Sequence, residues 1–514
     1  MDSQTAHRRR WATLGVLCVS LLVIGLDNTI LNVAMPSLAR SLDATSGQLQ
    51  WMVDSYVLVF AGLLLTAGSI GDRFGRRRAL FLGLAVFGAA SLWAAFTGSA
   101  DELIVARAAM GIGGALIMPS TLSVLTNSFR EPRERAKAIG AWAAVSGTGI
   151  VFGPTLGGWL LEHFWWGSVF LVNVPVVVAG IVAGLWLVPE SRDPSAPRVD
   201  LVGAALSVVG LMTLVWSIIE APTRGWTSGV VLGGFAVAAL VIGAFVAWEM
   251  RVAEPMLNVR YFRNPNFAAA CVAVTLVFFA MFGTIFFLTQ YLQFVLGYTP
   301  LEAGQRMLPI GAVVFGAPIG IRLAQRIGNK VVVAGGLLII ASALGLLSQT
   351  AVDSAYGHVA AVLALVGLGM GMAMAPATDA VMGALPNAKA GVGSAVNDAT
   401  RQVGGALGVA VLGSLLASSY SDRLDSLLAG QPVPEPAREG IAGALAVAAH
   451  LPDHAGTAFA DAARSAFIDG MDHTVLVAAA VAAAGALVAL IWLPAGNATA
   501  VDHPDPARKV ELVH

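Results

Sequence analysis

The amino-acid sequence predicts an all-α membrane protein of fourteen transmembrane helices, arranged as two six-helix pseudo-repeat halves with two extra helices between them. Three observations carry that expectation: the composition, a succession of apolar runs of spanning length, and a one-sided distribution of cations. Of the 514 residues 57% are hydrophobic and 12% charged, with a mean hydropathy of +0.76. A soluble domain carries roughly 25% charged residues, so most of this chain must face lipid or other apolar helices. In hydrocarbon no water satisfies the backbone, and a run of about 20 apolar residues therefore crosses as a helix.

Taken in order, the runs fall at 12–34, 50–70, 79–98, 102–125, 138–160, 168–188, 201–219, 229–249, 267–295, 305–323, 331–349, 358–378, 390–417 and 473–493. The first has full spanning length and no small-residue cleavage site, so it reads as a crossing that stays in the mature protein rather than a signal peptide. The sixth is followed by ESRDPSAPRVD (Glu190 to Asp200), a polar linker to the inserted pair. The ninth, at 267–295, is long for one crossing and too short for two; it is expected as one tilted helix. Before the last run, residues 418–471 read as a long outer loop. Within it, AREGIAGALAVAAHLP (Ala437 to Pro452) has the pattern of short amphipathic helices lying on the surface. The expected divisions are residues 1–190 for the first half, 191–263 for the inserted helices and linkers, and 264–514 for the second half with loop 418–471.

An even number of crossings puts both termini on one side. Of the 30 Lys and Arg, three (Arg107, Arg306, Arg401) lie well inside the runs; counting Arg322, at the edge of the tenth run, with the loop that follows it, 22 fall on the side of the N-terminus and five opposite. Cations are retained in the cytoplasm, so both termini are expected there. A net charge of −1 argues against a nucleic-acid partner. Cys18 and Cys271 both lie within crossings and offer neither a disulfide framework nor a metal site. The sequence has no GxxxxGK[ST] loop and no zinc-type cluster, so no cofactor, metal or catalytic group is expected and ATP-driven transport lacks support.

A faint internal echo supports two halves. GDRFGRRR (Gly71 to Arg78) follows the second run and AQRIGNK (Ala324 to Lys330) the tenth, sharing Arg-x-Gly at an offset of 253 residues. A parallel repeat of this kind is the architecture in which one half rocks against the other about a central site. In the echo Gln325 replaces Asp72.

The fifth run contains Gly140, Gly149, Gly153, Pro154, Gly157 and Gly158 in the pattern G-x8-G-x3-G-P-x2-G-G. On a helix Gly149, Gly153 and Gly157 form a bare stripe on which a neighbour can sit backbone to backbone. Pro154 removes a donor and crowds the preceding turn, so the helix is expected to bend where it is thinnest.

Ionisable side chains within crossings cost at least about 2.5–3.5 kcal/mol on insertion scales, so each needs a use. Asp27 lies sixteen residues after Trp11, about 24 Å along a helix, in the outer half. Asp54 and Arg107 enter at similar depth from the outer side. A carboxylate there can hold a proton or a cationic drug but not both; a static Asp27–Arg107 salt bridge is the plainer alternative. Asp398, preceded by Asn397, falls near mid-depth of its helix, yet Arg401 follows at i+3, a self-neutralising spacing. Substrate recognition and structural pairing are both open for it. Asp379, Glu220, Glu249 and Glu302 lie at helix ends and read as solvated or dipole-related. Gln290 and Gln293 are polar enough to line a cavity.

These residues resemble the major facilitator superfamily, and within it the fourteen-helix drug:proton antiporters. The loop after the second helix matches the superfamily's signature in Gly68, Asp72, Arg73, Gly75, Arg76 and Arg78. LDNTILNVAMP (Leu26 to Pro36) and LIVARAAMGIGGA (Leu103 to Ala115) are similar to the first- and fourth-helix motifs of that branch, and the glycine-proline pattern is its antiporter motif. The likeness extends through WWGSVFLVNVP (Trp165 to Pro175), YLQFVLGYTPLEAG (Tyr291 to Gly304) and AGVGSAVNDATRQVGGALGVA (Ala390 to Ala410). Met110 is a departure, since family members often carry Gln there. The resemblance implies proton coupling at Asp27, Arg107 and Asp54 and substrate recognition by Asp54, Asp398, Asn397, Gln290 and Gln293. It also implies a cytoplasmic gating latch at Gly68, Asp72, Arg73, Gly75 and Arg76, and a hinge at Gly140, Gly149, Gly153, Pro154, Gly157 and Gly158. The expected protein is a monomeric antiporter of a bacterial cytoplasmic (inner) membrane, exchanging protons for small hydrophobic, cationic drugs. The alternatives are a dedicated exporter of one endogenous metabolite or antibiotic, and a receptor or membrane enzyme without transport.

Overall fold

A computed structural model describes residues 3–44, 46–129, 131–192, 200–253, 255, 257–350, 354–385, 389–428 and 433–493. Among them there are helices and no strand. The chain begins with α1 (Ser3–Ser41), α2 (Ser46–Phe74), α3 (Arg76–Ala95), α4 (Ala100–Ser128), α5 (Pro132–His163) and the broken pair α6 (Ser168–Leu171) and α7 (Asn173–Leu187). Next come α8 (Leu201–Arg224) and α9 (Gly229–Glu249). The last part comprises α10 (Pro265–Gln290), α11 (Pro300–Arg306), α12 (Val313–Ile327), α13 (Asn329–Leu347), α14 (Tyr356–Gly383), α15 (Ala390–Leu427), α16 (Glu435–Glu439), α17 (Ile441–Ala448) and α18 (Asp453–Trp492).

Thirteen helical segments among the described residues are long and apolar enough to cross a membrane. The predicted fifth run, 138–160, lies within α5, a helix of 32 residues. The 267–295 run is one crossing, Pro265–Val295, its last turn a π-helix at Tyr291–Val295. Prolines explain two interruptions: α6 breaks from α7 just ahead of Pro175, and a 3-10 turn at Leu308–Ala312 with Pro309 separates α11 from α12. Each ring lacks the donor that a continuous helix would use. Helix starts follow side-chain capping: Ser99, Asp200 and Ser228 accept from Glu102, Gly203 and Val231 backbone N–H, and Thr299 forms a capping box with Glu302.

The stretch 418–471 corrects the sequence reading. It is largely helical, because α15 continues to Leu427 and α18 begins at Asp453. Hydropathy marks where apolar solvent ends, whereas the helix ends where its backbone loses partners. At 40 residues α18 is about 60 Å long, well beyond the roughly 30 Å hydrocarbon layer. Outside the apolar zone the two helices stay side by side, with Arg423 donating to Asp469 at 2.5 Å. The expected short helices are α16 and α17. Tyr420 Oη donates to Ala437 O at 3.1 Å, tying α16 to α15, while Ile441, Ala444 and Ala448 form the buried face of α17, which packs against α18.

Packing repeats between the sets α1–α7 and α10–α18. α1 lies on α5 and α7 as α10 lies on α15 and α18; α4 takes α2 and α3 as α14 takes α12 and α13; α3 meets α7 as α13 meets α18. The seam between the sets is reciprocal as well: α2 and α4 touch α15, and α5 touches α12 and α14. The echo found in the sequence ends at two equivalent glycines, Gly75 at φ 117° and Gly328 at φ 87°, both left-handed turns that a side chain would strain. The inserted pair packs on itself, with α8 leaning on both α2 and α15. Trp226 Nε1 donates to Ser414 Oγ at 2.9 Å and fastens the α8–α9 turn to α15.

Candidate functional site

Asp27 of α1 and Arg107 of α4 meet inside the first set of crossings, both buried, with Arg107 Nη1 2.5 Å from Asp27 Oδ2. The guanidinium also donates from Nε to Met52 O at 2.9 Å and lies over the Tyr56 ring, 4.5 Å from its centroid. Asn173 of α7 donates to the other oxygen of Asp27 at 3.3 Å. Met110, the departure from the family pattern, places its sulfur 3.9 Å from Arg107 Nη1, a weak acceptor. Asn28, by contrast, donates to Ile24 O of its own helix at 2.9 Å. Composition and depth single out Asp27 and Arg107. They do not single out Asn173 or Tyr56, which come from other helices and are recognisable in the sequence only as polar residues in apolar runs.

Asp54 is not on the Arg107 side of α2. Tyr56 faces that pair, and two residues turn a helix by about 200°, which carries Asp54 to the opposite side. Asp54 is eighteen residues, about five turns, from Asp72, so both share the stripe that faces α15. At its C-terminal end that stripe touches backbone to backbone: a Cβ on Gly68 would stand 2.5 Å from Gly391 O.

Asp72 joins the seam there. Its carboxylate accepts from Arg76 Nη2 at 2.7 Å, from Gly391 N at 3.0 Å and from Val392 N at 3.2 Å. A side chain of α2 thus satisfies free N–H groups at the start of α15, where the helix dipole favours an anion. Gly75 makes the turn into α3, and a Cβ on it would stand 2.7 Å from Glu190 Oε1. Arg73 lies over Phe74, 5.3 Å from the ring centroid. A second tie crosses the seam on this side: Arg135 of α5 donates to Asp379 of α14 at 3.2 Å. Asp379, read from the sequence as a solvated helix end, is therefore ion-paired. Glu302 does serve a helix end, in its capping box, whereas Glu249, read as solvated or dipole-related, is buried and accepts from Leu257 N of the following linker at 3.0 Å.

The glycine stripe of α5 faces α1. A Cβ on Gly149 would stand 2.9 Å from Gly25 Cα, and one on Gly157 3.1 Å from Ile30 Cγ2; Thr29 fills the space over Gly153 and donates to Gly149 O at 3.2 Å. Gly140 and Gly158 look the other way, towards Ile321 of α12 and Leu301 of α11. The side chain of Pro154, where a bend is expected, lies outside the described residues. An equivalent stripe on α15 was not read from the sequence: Cβ atoms on Gly404 and Gly408 would meet Thr275 O and Phe279 O of α10.

Asp398 and Asn397 are buried in α15, about 12 Å from its N-terminal end. Arg401 Nη1 stands 3.8 Å from Asp398 Oδ1, too long for a hydrogen bond, and Nη2 donates to Thr378 Oγ1 at 3.3 Å. Gln290 and Gln293, half-buried, lie far away at the C-terminal end of α10 and in the π-turn after it. Among the described residues no group of His, Cys, Asp and Glu is placed to hold a metal.

A family model described as Major Facilitator Superfamily matches residues 17–409. The chain is 38% identical to the multidrug efflux pump LfrA of Mycolicibacterium smegmatis, across 93% of this chain and 95% of that one. It is 37% identical to the tetracenomycin C resistance and export protein of Streptomyces glaucescens, across 94% and 91%. Against the methyl viologen resistance protein SmvA of Salmonella typhimurium the figures are 36%, 94% and 97%. Among solved structures it resembles the proton:xylose symporter XylE with a TM-score of 0.59 over 96% of this chain and 98% of that one; at 15% identity the likeness is one of fold.

Proposed function

Because the chain belongs to the Major Facilitator Superfamily, we propose that it exports hydrophobic, cationic drugs from a bacterial cytoplasm in exchange for protons, by alternating access. The observation that carries the reading is the buried Asp27–Arg107 pair in a chain whose relatives are named efflux and resistance proteins. Both termini are assigned to the cytoplasm on the distribution of cations. The transporter works as a monomer and not as an enzyme.

The pair suits proton coupling because each partner has a second hold. When Asp27 takes a proton, the Arg107 charge remains supported by Met52 O and the Tyr56 ring. Asp27 also lies between Gly25 and Ile30, the turns of α1 that rest on the α5 glycine stripe. Neutralising it therefore alters α1 at the point where α1 and α5 pivot. Asp72 and the Arg135–Asp379 pair hold the cytoplasmic side of the seam shut, which corresponds to access from outside. Asp54, on the seam-facing stripe of α2, serves substrate recognition better than coupling.

The driving forces are adequate. One charge crossing 100 mV is worth about 2.3 kcal/mol, and one pH unit about 1.4 kcal/mol. Exchange of one proton for one monovalent cation is electroneutral and draws on the pH term alone.

Asp27→Asn is expected to abolish pH-driven ethidium transport in everted vesicles while the protein still inserts. Unimpaired transport by that variant would remove Asp27 from the coupling role. A dedicated exporter of one antibiotic is the second reading, favoured by the likeness to the tetracenomycin C exporter. A resistance panel with the intact protein separates the two: protection against several unrelated cations supports the first, and protection against a single compound the second.

A further inference from the structure

We propose that the slot between Trp142 and Phe278, with Asp398 beside it, is the seat of planar organic cations, and that Arg401 fills it as a tethered stand-in. Trp142 belongs to α5 and Phe278 to α10, so the two walls come from opposite sides of the seam. The Arg401 guanidinium lies 4.7 Å from the Trp142 centroid and 5.3 Å from that of Phe278. A guanidinium is flat, delocalised and weakly hydrated, the chemistry it shares with aromatic cationic dyes, and aromatic faces attract such charge.

The walls are fixed and the occupant is loosely held. Trp142 Nε1 donates to Thr121 Oγ1 of α4 at 3.2 Å, and Phe278 stacks on Phe282, centroids 6.0 Å apart, which lengthens the aromatic face along α10. Asp398 Oδ1, Arg401 Nε, Arg401 Nη1 and Asn397 Nδ2 are all buried without a hydrogen-bond partner among the described residues. A firmly held arginine looks different: Arg107 has its carboxylate at 2.5 Å and a backbone carbonyl at 2.9 Å. Arg401 stands 3.8 Å from its carboxylate and donates only to Thr378. Buried groups left unpaired make a state easy to displace. Parting of α5 from α10 would open the slot; a flat cation entering it then takes the two aromatic faces and Asp398, while Arg401 swings out.

The inference rests on the export reading and names the substrate seat within it. The full-length protein in lipid nanodiscs, with no pH gradient, is titrated with ethidium and, as an uncharged control, phenanthrene. Arg401→Met, which keeps length and removes charge, is expected to tighten ethidium binding about tenfold and leave phenanthrene unchanged. Trp142→Leu and Phe278→Leu are each expected to weaken ethidium about 2- to 30-fold. Unchanged or weaker ethidium binding by Arg401→Met overturns the proposal, as does an equal change for both ligands. Should Arg401→Met fail to fold, the two aromatic variants decide, and ethidium affinity equal to wild type in both overturns it. Because binding is read without a gradient, loss of coupled efflux with these affinities intact counts against the coupling reading and leaves the slot standing.

Discussion

Two arginines buried beside aspartates differ in how many of their donors are met. Arg107 is held by a carboxylate, a carbonyl and an aromatic face, and Arg401 chiefly by aromatic faces. Sequence depth and charge single out both pairs, since an ion in hydrocarbon needs a partner. Which pair is tight is decided by helices distant in the chain, because Met52, Tyr56 and Asn173 reach one site and Trp142 and Thr378 the other. Removing one partner of a tight buried pair leaves an uncompensated charge, a cost of about 3–5 kcal/mol. Arg107→Met is therefore expected to lower the melting temperature in micelles sharply. The double variant with Asp27→Asn should recover a large part of the loss. Tryptophan fluorescence during heating checks this, and a double variant no more stable than the single one would mean that Asp27 carries no buried charge.

At the scale of the element, glycine spacing forecasts close packing of α5, and Gly149, Gly153 and Gly157 do face α1. The spacing alone does not say which helix is approached. Gly149→Ala must push against the Gly25 backbone, and overpacking of this kind costs about 1–3 kcal/mol. The variant is expected to melt lower and to transport slowly, whereas Gly15→Ala and Gly335→Ala, whose added Cβ meets nothing within 4 Å, should match wild type or slightly exceed it. Melting curves and ethidium efflux for the three variants test the contrast; equal behaviour would show that the stripe is not a packing surface. Helix ends were the least legible elements. Charged residues such as Asp422 and Asp461 look like loop, yet they lie exposed on α15 and α18, where water reaches both and Asp461 pairs with Arg464 of its own helix.

Across the whole molecule, the helices α1–α7 and α10–α18 meet through reciprocal contacts, α2 with α15 and α5 with α12. Transport by rocking requires those contacts to part. Gly140 and Ile321 lie on the α5–α12 contact, where a Cβ on Gly140 would be 3.3 Å from Ile321 Cγ1. In a background lacking Cys18 and Cys271, the pair Gly140→Cys and Ile321→Cys is near disulfide range. Oxidation is expected to stop ethidium efflux and dithiothreitol to restore it. Efflux at the full rate while the bond is intact would show that α5 and α12 need not separate. What the sequence by itself determined is the membrane architecture, the repeat and the small set of ions that must have a use. Each follows from local cost, because an apolar run, a glycine stripe or a charge in hydrocarbon is favourable or unfavourable wherever its neighbours lie. Only the tertiary structure decided that Asp27 pairs tightly and Asp398 loosely, and that Asp72 caps α15. Those are distances between residues up to 320 positions apart, and they are set by how the helices pack against one another.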